Sequence, residues 1–197
     1  MGNKNRNIED QNVIDFLEKA PKGLISEGFL EWLKEKGFFR TSASANHHGN
    51  YAGALYAHSN AVRLALEDYT EKGLVEWDRP ESPFIIGMFH DLCKIDVYRE
   101  EYDHYIEDDA GNKFGKGTTH YVFDDSDSII PGHGEKSLIY LLPWLELTSQ
   151  EIACIRWHMG AFDDKANWKY YSRACAVDPA VLFTHTADMY ASQCEGI

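Results

Sequence analysis

The chain has 197 residues, 44% of them hydrophobic, with 19 basic and 32 acidic residues and a formal net charge of −13. That length predicts a single domain burying roughly 70% of its unfolded surface, and the acidic balance argues against long nucleic acid, whose binding rests on many Lys and Arg contacts to phosphate. The longest apolar run, Ser137 to Leu145, stops at Glu146, far short of the ~20 residues of a membrane span. The start, Met1 to Gln11, has no apolar signal core, and Arg6 stands where a myristoylation motif wants Ser or Thr. Four scattered cysteines (Cys93, Cys154, Cys175, Cys194) form no Cys-x-x-Cys pair, so neither a disulfide framework nor a zinc finger is expected, and a reducing cytoplasm is the natural setting.

In chain order, Val13, Ile14, Phe16 and Leu17 predict a helix over Asn12 to Lys19, ending near Pro21. Phe29, Leu30, Trp32 and Leu33 predict a second, closed by Gly37. Tyr51, Leu55, His58, Val62 and Leu66 recur at helical steps, which places a His on an apolar face. An apolar helix follows from Ser82 to Lys94, with Pro80 and Pro83 at its start. From Val97 to Ile130 the pattern turns polar and aromatic, with a turn at Asp109-Ala-Gly-Asn112 and acidic clusters on either side, so a β-hairpin or ordered loop is expected there. Gly134 to Leu145 reads as a helix bent or ended by Pro143. Thr148 caps the next, with Glu151 completing a capping box, to about Met159 and Gly160. Pro179 opens the last, to about Cys194. The expected fold is all-α with one insertion at about 97–130.

The chain holds nine His and sixteen Asp. Its His90-Asp91 doublet is no more than chance would give. The informative feature is an ordered set spread over separate helices: His58, His90-Asp91, His133, His158 and Asp188, most of them in strongly apolar settings such as Ile86-Gly-Met-Phe-His-Asp-Leu92 and Ile155-Arg-Trp-His-Met159. Buried charged groups are costly unless paired or bound to metal, and four His with two Asp can satisfy one another around an ion.

These segments (HHGNYAGALYAHS at 47–59, FHDLCK at 89–94, GHGEKS at 132–137, RWHMG at 156–160 and HTADM at 185–189) resemble the HD-domain superfamily of metal-dependent phosphohydrolases over nearly the whole chain. The resemblance implies a helical bundle, metal ligands at His58, His90, Asp91 and Asp188, and a second metal position at His133 and His158. Two divalent transition-metal ions are then expected, Fe, Mn, Zn or Ni, since imidazole and carboxylate suit these better than Mg²⁺. Asp91 is the natural bridge, and a metal-activated hydroxide would attack the phosphorus of a phosphomonoester or phosphodiester of a small molecule, such as a nucleotide. Lys94, three residues after Asp91, would hold a phosphate oxygen and offset developing charge. His185 shares a face with Asp188 and is a candidate substrate contact, as is His48, which with His47 precedes a helix start. Lys136 and Arg156 are read as a solvated and a structural residue, and Cys93 as a small buried hydrophobe. Members of the same superfamily similar in all six ligands, inositol oxygenase among them, are di-iron oxygenases, which supplies the alternative activity. A domain that only binds a nucleotide is the non-enzymatic one.

Overall fold

The computed structural model describes residues 2–45, 49–108, 110–126, 128–130 and 132–196. It is mostly helical. The α-helices are α1 (Gly2–Lys19), α2 (Glu27–Glu35), α3 (Ala54–Glu71), α4 (Ser82–Phe89), α5 (His133–Leu141), α6 (Ser149–Trp157), α7 (Trp168–Val177) and α8 (Pro179–Tyr190). Among the described residues one antiparallel pair, β1 (Tyr98–Glu107) and β2 (Lys113–Phe123), lies between α4 and α5. Among the described residues no helix is long and apolar enough to cross a membrane.

The element at the centre is α4. Every residue from Ser82 to Phe89 is buried, as expected of a helix that is apolar all round, and α3 and α6 pack against it. An aromatic cluster fills the space between α4, α2 and α1: Phe16 meets Phe39 at 5.3 Å and Phe84 at 5.6 Å, and Phe29 meets Phe89 at 5.4 Å and stacks on Trp144. Leu55, Val62 and Leu66 of α3 complete the core on the other side.

Two features set the distances between helices. Gly87 faces α3 so closely that a Cβ there would lie 2.4 Å from Arg63 Cα, and only glycine permits that approach. Glu151, fully buried near the start of α6, accepts from Arg79 Nε at 2.8 Å, Arg79 Nη2 at 2.7 Å and Ser82 Oγ at 2.8 Å. Its side chain also closes the expected capping box with Thr148. The starts of α4 and α6 are thus clamped together.

Most predicted helices are present, with shifted ends. α1 begins well before Asn12, and α2 ends in the turn expected at Gly37, with Phe38 N–H donating to Leu33. α5 stops at Leu141, short of Pro143. The insertion is a hairpin: Tyr98 pairs with Phe123 and Glu107 with Lys113, with an irregularity between Tyr102 and His104. Its turn is held by Asp108 Oδ1, which accepts from the N–H groups of Ala110 and Asn112; Asp109 lies outside the described residues. Asn50 fixes the hairpin to the bundle by accepting from Tyr121 N–H at 2.9 Å and donating to its carbonyl at 3.3 Å.

The expected elements need correction in three places. The helix expected from Ser82 to Lys94 is broken: α4 ends at Phe89, Asp91 leaves helical geometry (φ −103°, ψ 21°), and Leu92–Asp96 form a 3₁₀ turn. α7 has no counterpart in the sequence reading. None of its residues is fully buried, so it carries no strong apolar stripe. Tyr171, Ala174 and Cys175 only graze the core. At the C-terminus α8 stops at Tyr190, and a π-type turn, Ala191–Glu195, covers the rest of the span expected as one helix.

Candidate metal centre

The break after α4 builds the site. On an uninterrupted helix His90 and Asp91 would point about 100° apart; the turn at Asp91 lets both side chains enter one pocket. The 3₁₀ turn then eclipses residues three apart, and Lys94 Nζ comes to lie 2.6 Å from Asp91 Oδ2.

Around this doublet the other elements bring their groups. From α3, His58 Nε2 lies 3.1 Å from Asp188 Oδ1 of α8, 3.5 Å from Asp91 Oδ2 and 3.3 Å from His90 Nε2. His90 Nδ1–H donates to the Gly87 carbonyl at 2.9 Å. The outward ring nitrogen, Nε2, is therefore left bare in the neutral ring, 3.6 Å from Asp91 Oδ2 and 4.0 Å from Asp188 Oδ1. His158, at the end of α6, is oriented in the same way: Nδ1–H donates to the Ile155 carbonyl at 2.7 Å and Nε2 points at Asp91 Oδ1, 3.4 Å away. From the start of α5, His133 Nδ1 lies 3.9 Å from Asp91 Oδ1 and 3.4 Å from Cys93 Sγ. Gly134, where a Cβ would lie 2.3 Å from the Arg156 carbonyl, lets the start of α5 come this close to α6.

Asp91 therefore divides its two oxygens. Oδ2 faces His58, His90 and Lys94, and Oδ1 faces His133 and His158. Two groups of donor atoms share this carboxylate: His58, His90, Asp91 and Asp188 in one, Asp91, Cys93 and His133 in the other, all atoms of each within 4.8 Å of one another. His158 is in neither group. Yet its Nε2 and Asp91 Oδ1 are buried without a hydrogen-bond partner, which native interiors rarely tolerate. Converging, buried, under-satisfied acceptors are what a cation satisfies, and the residues present can hold a metal ion.

The charges agree. Burial works to raise the Asp91 carboxyl, but Lys94 and the surrounding imidazoles hold it well below the usual carboxylate range. Asp188 is likewise driven down to about 2: burial opposes ionisation, and His58 and His90 overcome it. Burial lowers His90 to about 4, against the pull of Asp91 and Asp188, so its ring is neutral and free to ligate. His133 is raised to about 10 by Asp91 and then by Cys93. Burial would lower Lys94, but Asp91 carries it above its ordinary value.

The group opens on a cleft of about 600 Å³. Its walls are Lys94 and Tyr98, the apolar Met159, Phe162 and Met189, and the neutral polar Ser44, Ser192 and Gln193. Lys94 is the one Lys or Arg among the described residues that line it. A larger cavity of about 740 Å³ runs along α3 past Tyr56, Asn60 and Tyr69, away from these residues.

The sequence-predicted positions divide as follows. His58, His90, Asp91, His133, His158, Asp188 and Lys94 come together. His185 does not line the cleft: its Nδ1–H donates to the His158 carbonyl at 2.7 Å and its ring packs over Gly160, behind the loop. His47 and His48 lie outside the described residues. Lys136 is buried, not solvated, paired with Asp96 at 2.6 Å and donating to Ser128 Oγ at 2.8 Å. Arg156 ties Glu135 to Asp163, a structural role. Cys93 is buried, but it touches His133 and so is more than filler. Its one signal in the sequence is its place beside the doublet. Comparisons with protein-family models, curated proteins and solved structures give no match, so the functional reading rests on the site itself.

Proposed function

We propose that the chain is a metal-dependent phosphohydrolase of the HD type that cleaves a phosphomonoester or phosphodiester of a small molecule. The observation that carries this reading is Asp91, with one carboxylate oxygen turned to each of two donor groups. His58, His90, Asp91 and Asp188 would hold one ion, and Asp91 with His133 would contribute to a second position. Divalent ions at such a pair supply Lewis acidity to phosphoryl oxygens and acidify a water.

The chain's own residues supply the rest. Lys94 gives one of its three ammonium donors to Asp91 and keeps the others for a phosphate oxygen in the cleft. The ion pair with Asp91 fixes its position before substrate arrives, so little reorganisation is needed in the transition state. His90 and His158 are held in one tautomer by backbone carbonyls, which fixes ring orientation as outer partners of metal ligands commonly do. Met159, Phe162 and Met189 give the leaving group an apolar wall. The size of the cleft suits a small molecule, and a single cation in an acidic protein suits one phosphoryl group better than a polyanion.

Metal-stripped protein reloaded under argon with Zn²⁺, Co²⁺ or Mn²⁺ should release phosphate or alcohol from a member of a phosphomonoester and phosphodiester panel. Oxygen uptake matched to substrate loss, with no phosphoester cleaved, would overturn this in favour of the oxygenase.

A further inference from the structure

Cys93 is the buried nucleophilic group that the proposed reaction leaves unused. The residue is 3% exposed, and its Sγ lies 3.4 Å from His133 Nδ1. That contact is fixed by the fold. Cys93 N–H donates to Ser137 Oγ at 3.0 Å, and Ser137 sits on α5 one turn after His133, so one face of α5 holds both the backbone of Cys93 and the ring beside its sulfur. Asp91 Oδ1, on a side chain 3% exposed, completes the group and has no hydrogen-bond partner. Cys154, the other fully buried cysteine, differs: it lies in the core, and burial pushes its thiol up to about 12. Cys93 instead reaches the wall of a cavity of about 300 Å³ beside His133, Ser128 and Lys136.

We propose that Cys93 is a thiolate ligand of the second metal position, together with Asp91 and His133. This deepens the reading of the site as a metal centre and rests on it. A hard oxygen-and-nitrogen site accepts Mn²⁺ readily, whereas a sulfur donor moves the preference to thiophilic ions, Zn²⁺ or Co²⁺. The two positions then differ: His58, His90, Asp91 and Asp188 offer only nitrogen and oxygen. On loading, Cys93 would release its thiol proton to solvent and His133 would donate from its neutral ring, any proton on Nδ1 leaving by the same route.

The test uses the full chain, stripped with a chelator and titrated with Co²⁺. Wild type should bind two equivalents and show a near-ultraviolet sulfur-to-cobalt charge-transfer band as the second one fills. Cys93→Ser should lose the band and bind that equivalent at least tenfold more weakly, and His133→Ala should lose both. X-ray absorption of the zinc-loaded wild type needs no variant and should show one sulfur among the scatterers at about 2.3 Å. Two equivalents without a sulfur signature, or a band that survives Cys93→Ser, would overturn the thiolate and leave the metal centre standing. Failure of wild type to bind Co²⁺ or Zn²⁺ at all would overturn both.

Discussion

Replacing Asp91 by Asn tests the centre most directly, because the carboxylate belongs to both donor groups. Asn keeps the shape, leaves Lys94 a neutral acceptor, and takes an anionic oxygen from each position. An ion that binds only the folded chain stabilises it by about 2.7 kcal/mol when present at a hundred times its dissociation constant. Two independent positions give about 5.4 kcal/mol on the same arithmetic. For a chain of this length each kcal/mol moves Tm by roughly 2–4 °C. Wild type should therefore melt about 11–22 °C higher with saturating Zn²⁺ than in chelator, and His133→Ala about half as far. Asp91→Asn should gain almost nothing. Thermal melts in parallel with elemental analysis of dialysed protein give both numbers. An Asp91→Asn chain that keeps one tightly bound ion, or a His133→Ala chain that keeps two, would refute the shared carboxylate. Either result would mean that the two oxygens of Asp91 do not serve separate positions.

The other expectations concern support and turnover. Glu151→Ala removes a buried carboxylate from Arg79, Ser82 and the α6 cap and should cost about 4 kcal/mol in urea unfolding, with a coupling to Arg79→Ala above about 1 kcal/mol; a loss under about 1 kcal/mol would dismiss the clamp. Gly87→Ala drives a Cβ into the Arg63 backbone and should cost about 3 kcal/mol while weakening metal binding, because α3 carries His58; unchanged metal affinity would show that the close approach does not set the His58–His90 distance. Lys94→Ala should lower kcat on a cleaved phosphoester about 10²-fold with the metal content kept, and an unchanged kcat would leave Lys94 as a structural partner of Asp91.

The sequence made the helices legible wherever a deep core selects an apolar face. α2, α3, α6 and the body of α4 all bury such faces, and the Thr148 capping box formed where expected. α7 stayed hidden because it lies shallow, its aromatic rings half exposed. The ordered His and Asp pattern picked out the groups that converge, but not how Asp91 divides between them. That depends on the helix break, and the apolar run through Leu92 and Ile95 gives no local sign of one: neither Pro nor Gly interrupts it. Lys136 looks solvated in the sequence for a related reason, since its ion-pair partner Asp96 lies far off in the chain. The contact between Cys93 and His133 is likewise set by how α5 docks on the turn after α4, a tertiary fact with no sequence period.

Because the donor groups come from α3, the end of α4 and the turn after it, α5, α6 and α8, no short segment can assemble the donor set by itself. The centre exists only in the folded bundle, so metal affinity and folding stability are one linked quantity. A packing lesion at Gly87 or Glu151 would then appear as lost metal, and a ligand lesion at Asp91 as lost stability. Melting in chelator separates them. There the packing variants remain destabilised, because their contacts do not involve metal. The His133→Ala variant should instead lose more in Zn²⁺ than in chelator, where it gives up only the contacts of its half-exposed ring with Asp91 and Cys93. A His133→Ala chain as destabilised in chelator as in Zn²⁺ would place that residue among the packing contacts.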